Sequence, residues 1–430
     1  DATTTTDGAV TVTQGKLDCK ALTSQAFDGV DDYMVTPSTI PAVSTNHTIS
    51  AWVKVTADTD NKTIFDVRDG SNDGIFLFST TAEAIEYQLN GNDINSASGL
   101  AGSWMHVIAC YDGTTQKLFI DGVLVASSAT SETISQNALG YIGAEGPSRD
   151  SYFSGNIRDV KVFDYGLSND QAASLYSGSY NVTPQYWWKA DENSGDFENS
   201  GTASLGNSTL TNTPAKARTH GTLDLDSSLT IAANGTLSAP RGTLDLGGAD
   251  APFNNTGTYT HNNGRFTLTG GSKNINDSGT SNTVFYDLYQ SGNSGSRNQL
   301  YDDITVENEF RITSGLFTTR SNYPTITMGT ATSAGKINTT VTTDTNNGLN
   351  FRDKAYVYAA NQLYPYTVEG NEWALDEQPC ATSGGLHLKW ADFQYDLVTD
   401  SGQGSNNPTI TLDGDCEFDA VTVSSGDTLD

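Results

Sequence analysis

Carboxylates are the groups in this sequence most able to do chemistry. Asp and Glu number 51 against 22 Lys and Arg, and the formal net charge is −29. Two carboxyls held roughly 5 to 9 Å apart can hydrolyse a glycoside. Asp302 with Asp303, Asp376 with Glu377, and Asp413 with Asp415 are the pairs close enough in sequence to be imagined in that role. The other catalytic residue types do not converge. His47, His106, His220, His261 and His387 are scattered without a metal-ligand pair, and neither a Gly-x-Ser-x-Gly elbow nor a phosphate-binding glycine loop is present. Most acids in so acidic a chain are bystanders, so the expectation is a protein that is not an enzyme. Carboxylates also coordinate calcium, a hard cation that abounds outside cells. The plainer alternative is solubility in a salty medium, where screening shortens repulsion to roughly 10 Å at about 0.1 M salt. The same charge repels phosphate backbones and anionic membrane surfaces, which excludes nucleic acid from the expected partners.

Cys19, Cys110, Cys380 and Cys416 fall as one pair near each end, and no C-x-x-C spacing suggests zinc. Disulfides Cys19–Cys110 and Cys380–Cys416 would suit an extracellular protein, and buried free thiols would leave the same sequence pattern. Thr, Ser, Gly and Asn dominate over helix formers, a mixture that favours short strands and tight turns. The expected class is all-β. No apolar run approaches the roughly 20 residues needed to cross a bilayer, so no membrane insertion is expected. The start lacks the features of a signal peptide, which fits either a processed end or export without such a signal, as in release of virions by lysis.

From Phe27 onward, short runs alternate apolar and polar residues, as in Thr48-Ile49-Ser50-Ala51-Trp52-Val53-Lys54-Val55. Turn clusters such as Asp69-Gly70-Ser71-Asn72-Asp73-Gly74 separate them. Asp121-Gly122, between Leu118-Phe119-Ile120 and Val123-Leu124-Val125, predicts a tight hairpin, because a type I′ turn needs positive φ at both central residues. Phe27-Asp28-Gly29-Val30-Asp31-Asp32-Tyr33, Trp104-Met105-His106-Val107 and Phe153-Ser154-Gly155-Asn156-Ile157-Arg158-Asp159-Val160 follow in order with these runs. A short helix from Gly166-Leu167-Ser168 to Leu175-Tyr176 closes the segment. Together these pieces resemble the laminin-G-like or concanavalin-A-like lectin domains.

The resemblance implies a jelly-roll sandwich of two antiparallel sheets over residues 1–180, with Trp52, Trp104, Ile120 and Val160 inside. It also implies a structural calcium where the start and end of such a domain meet, for which Asp28 and Asp159 are the candidates, with Asp31 and Asp32 beside the first. Ligand contact in such folds lies in loops. The loop residues expected to meet a glycan are Asp69, Asn72, Asp73, Asn90, Asn92 and Asp93.

Residues 181–214 read as a connector or as a piece that completes the first sandwich, with Trp187-Trp188 either a sugar-stacking pair or a buried wedge. Beyond it the chain repeats. Gly221-Thr222-Leu223-Asp224-Leu225 recurs as Gly242-Thr243-Leu244-Asp245-Leu246, and rungs near 20 residues long predict a β-solenoid over 215–330, similar to phage-fibre stalks. The spacing drifts over 331–430, where a second β-sandwich is the alternative, and the last residues read as a rung that continues past Asp430. The expected protein is a glycan-binding, adhesive component of a virion or cell surface. It would meet cell-surface polysaccharide and other structural proteins of the same particle as a homo-oligomer. A purely structural component and a polysaccharide depolymerase are the alternatives.

Overall fold

The computed structural model describes residues 3–430 apart from 7, 20–22, 41–45, 58–59, 69–72, 135–137, 147–149, 179–181, 193–194, 212–217, 249–251, 277–281, 320–323, 341–347, 351–354, 371–372, 377–384, 395–396, 401–408, 419–420 and 424–427. The fold is all β, with Asn169–Tyr176 as the one α-helix among the described residues. The chain forms two compact units, residues 23–219 and residues 3–22 with 220–430. The division expected from sequence, at 180, 214 and 330, therefore differs from the structural one at both ends of the first unit.

Residues 23–219 form two antiparallel sheets. The first runs Val123–Ala129, Thr115–Ile120, Trp104–Tyr111, His47–Val55, Ser154–Phe163, Ser24–Asp28, Arg218–Thr219, with Tyr186–Trp188 also on Ser154–Phe163. The second runs Thr209–Thr211, Tyr33–Thr39, Leu139–Ile142, Lys62–Arg68, Gly74–Ser79, Ile85–Leu89, Asn92–Asn95. The stretch read as a connector thus supplies a strand to each sheet. Ile49, Ala51 and Val53 of one sheet and Phe65, Leu77 and Tyr87 of the other belong to one buried cluster between them. The hairpin at Asp121-Gly122 has φ of +50° and +77°, the positive values its dipeptide requires. A side chain at Gly122 would also meet the helix backbone at Ala173, so the same glycine admits the helix.

Strand periodicity corrects one expectation. Odd-numbered residues of His47–Val55 face the core, so Trp52 falls on the opposite face, and Trp104, paired with Lys54, falls there too. Val160 is in the core as expected, and Ile120 packs partly buried against it. The outer face is not bare. The helix is capped by a reciprocal Ser168–Gln171 box and lays Ala172 and Leu175 on Ile108, Cys110, Phe119 and Phe163 as a second, smaller core.

The other unit is a set of parallel ladders in register. Leu223, Leu244, Phe266, Leu288, Phe310, Ile337, Val368 and Phe393 occupy successive paired positions and form one buried column. Pairing stays parallel as far as Thr428–Leu429, so the second sandwich held open for the last hundred residues is not what they form. The first ladder strands come from the chain's start. Thr3–Thr6 pairs with Thr222–Leu225, and Val10–Asp18 pairs with Leu229–Ser238. In sequence, the sandwich is thus an insertion between the first ladder strands and the next. Truncating a ring in the column, Phe266→Ala, should destabilise the ladder unit by about 3–5 kcal/mol. Urea unfolding followed by far-UV circular dichroism measures this, and an unchanged midpoint would refute the column's role.

Candidate functional site

The structure brings some of the nominated loop residues together and leaves others apart. Asp69 and Asn72 lie outside the described residues, and Asp73 is exposed at the entry to Gly74–Ser79. Asn90, Asn92 and Asp93 share one edge, but their polar atoms are committed internally. Asn90 Oδ1 accepts from the Gly74 amide, and the Asn90 and Asn92 side-chain amides both donate to Glu132, at 3.2 and 2.9 Å. Gln88 donates to Asp93 at 2.9 Å. This edge pins the segment around Glu132 and offers few free donors.

The calcium candidates separate. Asp28 pairs with Ser154, so Asp159 stands five residues further along that strand. Asp28 instead gathers with Asp31 and Asp32, their ligand oxygens all within 4.8 Å of one another. Within that turn, Asp28 Oδ1 accepts from the Val30 amide at 2.8 Å and Asp32 Oδ2 accepts from the Asp28 amide at 2.8 Å. Asp28 with Asp159 is therefore corrected as a metal pair. The hydrolytic pairs also have other work. Asp303 Oδ1 accepts from the Thr325 amide, and Asp413 accepts from Tyr358 and from His387 Nδ1. Asp376 with Glu377 falls outside the described side chains. The proposed Cys19–Cys110 disulfide is likewise corrected. Both are buried free thiols in different units, with burial pushing Cys19 up to about 11 and Cys110 donating to the Leu167 carbonyl. Cys416 is also free, and Cys380 lies outside the described residues.

What sequence reasoning did not assemble is a cluster of cations and aromatic rings on the outer face of the first sheet. Val160 pairs with Trp188 and Lys161 with Trp187, so adjacent tryptophans point to opposite faces. Trp188 is fully buried in the core with its Nε1 donating to Ser208 at 2.9 Å. Trp187 is half-buried on the outside, its Nε1 donating to Asp159. The Lys161 and Lys189 ammonium groups stand 4.9 and 4.4 Å from its ring centre. Asp159, in a left-handed conformation at φ +55°, sits in the irregularity of its strand and also receives Lys161. A pocket of about 250 Å³ opens here, lined by Trp187, Lys161, Val182, Pro184 and the hydroxyl side chains of Thr183 and Ser200. Arg158 lies 5.3 Å over Trp52 and 4.8 Å over Trp104. The signal in sequence was the spacing of Asp159, Lys161 and Trp187, which becomes visible only once the strands are paired.

Beside this cluster His106 is buried under Trp52 and Tyr176, with ring centres 5.1 and 6.0 Å away. Its Nε2 meets Ser50 Oγ at 2.7 Å while Nδ1 has no partner. A proton on Nε2, donated to Ser50, leaves only a lone pair unsatisfied at Nδ1, the cheaper of the two tautomers. Burial, with Lys161 and Arg158 adding to it, lowers the His106 pKa to about 3.

A two-sheet antiparallel sandwich of this order is a concanavalin A-like jelly roll, followed here by further β-sheets. Residues 28–173 match the family model of the concanavalin A-like lectin/glucanases superfamily. Among solved structures, the chain is similar to a putative carbohydrate binding protein from Bacteroides ovatus. The two are 18% identical with a TM-score of 0.37, over 44% of this chain and 58% of that one, so the chain spans less than two thirds of its length. It is also similar to the heptameric SAP-like pentraxin of Limulus polyphemus, at 18% identity and TM-score 0.34 over 44% and 96%. The CBM40 of the Ruminococcus gnavus IT-sialidase follows, at 17% and 0.31 over 36% and 97%. No curated protein matches the chain.

The geometry around His106 makes a pH prediction. Its folded pKa lies below the unfolded value near 6.5, so the unfolded state binds more protons between pH 6.5 and 3. This contribution to stability is complete above pH 6.5 and falls by roughly 1.4 kcal/mol per pH unit through that window. Imidazole NMR should show His106 neutral down to about pH 3. A titration midpoint near 6.5 in the folded protein would contradict the site.

Proposed function

We propose that this chain is a glycan-binding surface protein, extracellular or on a virion, whose sandwich holds host polysaccharide at Trp187. The observation that carries the reading is the half-buried Trp187 ring, anchored by Asp159 and flanked by Lys161 and Lys189 at the mouth of the pocket. A fixed aromatic face stacks on the apolar side of a pyranose, and the neighbouring hydroxyls and Lys189 give its polar rim partners. The match of residues 28–173 to the concanavalin A-like lectin/glucanases superfamily supports a carbohydrate-directed domain. Binding, not catalysis, is the reading because the nominated acids with described contacts serve turns and neighbouring side chains.

In this reading the parallel ladders are a β-solenoid stalk that displays the sandwich and contacts other structural proteins of the same particle. Weak single sites gain by repetition in a homo-oligomer, since linked sites raise avidity by factors of roughly 10² to 10⁴. A calcium ion, where one is used, would take the carboxylates of Asp28, Asp31 and Asp32.

A glycan array probed with the chain in multivalent form should give a defined set of hits, and Trp187→Ala should weaken them at least tenfold while leaving the melting temperature within a few degrees. An array without hits, or hits indifferent to Trp187→Ala, would sink this assignment. Calcium should raise the melting temperature of the wild type and not of Asp31→Asn. Equal shifts in both, or none, would remove the ion from the account.

A further inference from the structure

We infer that the ladder unit carries a carbohydrate subsite of its own, a notch floored by Trp390 that takes a neutral hexose residue. The notch comes from unequal corners in stacked neighbours. Ala355–Ala359 reaches Tyr366–Gly370 through residues 360–365, and Thr409–Leu412 reaches Glu417–Phe418 through residues 413–416. Between these two levels, Gly385–Lys389 turns into Ala391–Phe393 through Trp390 alone. The middle corner is therefore short, and a cavity of about 450 Å³ opens where a longer corner would have filled it. That volume falls within the range of small-molecule sites, roughly 300–1,000 Å³.

The lining has definite chemistry. Trp390 holds a left-handed backbone, φ +58°, a conformation uncommon for a bulky residue. Its indole lies against Gly414, where a side chain would come within 3.1 Å of Nε1, and Lys389 places its ammonium 4.3 Å from the ring centre. Asp392 and Glu417 occupy paired positions on adjacent strands, about 4.8 Å apart along the ladder. Asp415 and Gln362 face the same cavity. An aromatic floor stacks on the C–H face of a sugar ring, and carboxylates on the rim accept its hydroxyl hydrogens in charge-assisted bonds. Three carboxylates against one ammonium repel uronate and other acidic sugars, which selects a neutral hexose. This subsite shares only its ligand class with the sandwich and does not depend on the Trp187 assignment.

The test uses the full chain carrying Trp187→Ala, so that the sandwich site is silent. Calorimetric titration with neutral gluco-, manno- and galacto-oligosaccharides should show saturable binding to at least one, and none to an oligogalacturonate. Trp390→Ala should weaken that binding at least tenfold. Asp415→Asn and Glu417→Gln change exposed side chains, should keep the circular dichroism spectrum, and should each weaken it several-fold. The inference is overturned if no neutral oligosaccharide binds, if the acid variants bind as well as their parent, or if the notch prefers the acidic oligomer or a quaternary ammonium such as choline.

Discussion

The architecture depends on how the two ends of the sandwich meet. Gln25 and Ser24 pair antiparallel with Arg218 and Thr219, so the inserted unit closes on itself before the chain resumes its ladder. Arg218 fastens this closure. Its guanidinium donates to Gln25 at 2.7 Å, to Glu192 at 3.1 Å and to the Gly195 carbonyl at 3.0 Å, and lies 4.5 Å from the Phe197 ring centre. Burying a cation is costly unless it is paired and hydrogen-bonded, and most of these partners come from the stretch between Trp188 and Thr209. That stretch is thus a structural part of the sandwich. With its ends already paired, the insertion adds little loop-closure cost to the register of Val10–Asp18 with Leu229–Ser238.

The sandwich was legible in sequence because its signals are local. The Asp-Gly turn fixes its own φ values, and alternation fixes each strand. Which face of a strand is inside is not local when both faces are covered. In His47–Val55 all but two residues are buried, since the helix, the Arg158 guanidinium and the Trp104 ring cover what solvent would otherwise reach. Trp52 shares the outer face with Thr48, Ser50 and Lys54, and because these are covered too, burial along the strand does not mark which side is the core.

The ladder was legible where its rungs keep their length and illegible where an insertion separates them. Val10-Thr11-Val12 and Gly15-Lys16-Leu17 stand in register with Leu229-Thr230-Ile231 and Gly235-Thr236-Leu237. The echo was present in the sequence, but nearly two hundred residues of a different fold lie between. Cys19 followed the same error. Counted as part of the sandwich it looked like a partner for Cys110, whereas it packs with Leu237 and Ala239 of the ladder's buried cluster. The later corners, 329–335 and 360–365, lengthen the repeat without breaking the parallel pairing, so drift in spacing was a statement about corners and not about strands.

The outer-face cluster shows why charge counting alone hid the site. In a chain with net charge −29, Arg158, Lys161 and Lys189 stand together among three tryptophans, each cation placed over a ring. Burial lowers the pKa of Lys161, and Asp159 opposes that by pairing with it. Asp159 has a second duty, since it also receives the Trp187 indole. One residue, read from sequence as a metal ligand, thus pairs with a buried cation and anchors the half-buried ring. Its left-handed backbone costs Asp less than it would cost a branched residue, because short polar side chains tolerate that region. The strand irregularity that permits this conformation shifts the register between Arg158 and Lys161. That shift sends Trp188 into the core and Trp187 outward. A single local irregularity therefore sorts two adjacent tryptophans into a buried one in the core and a half-buried one on the outer face.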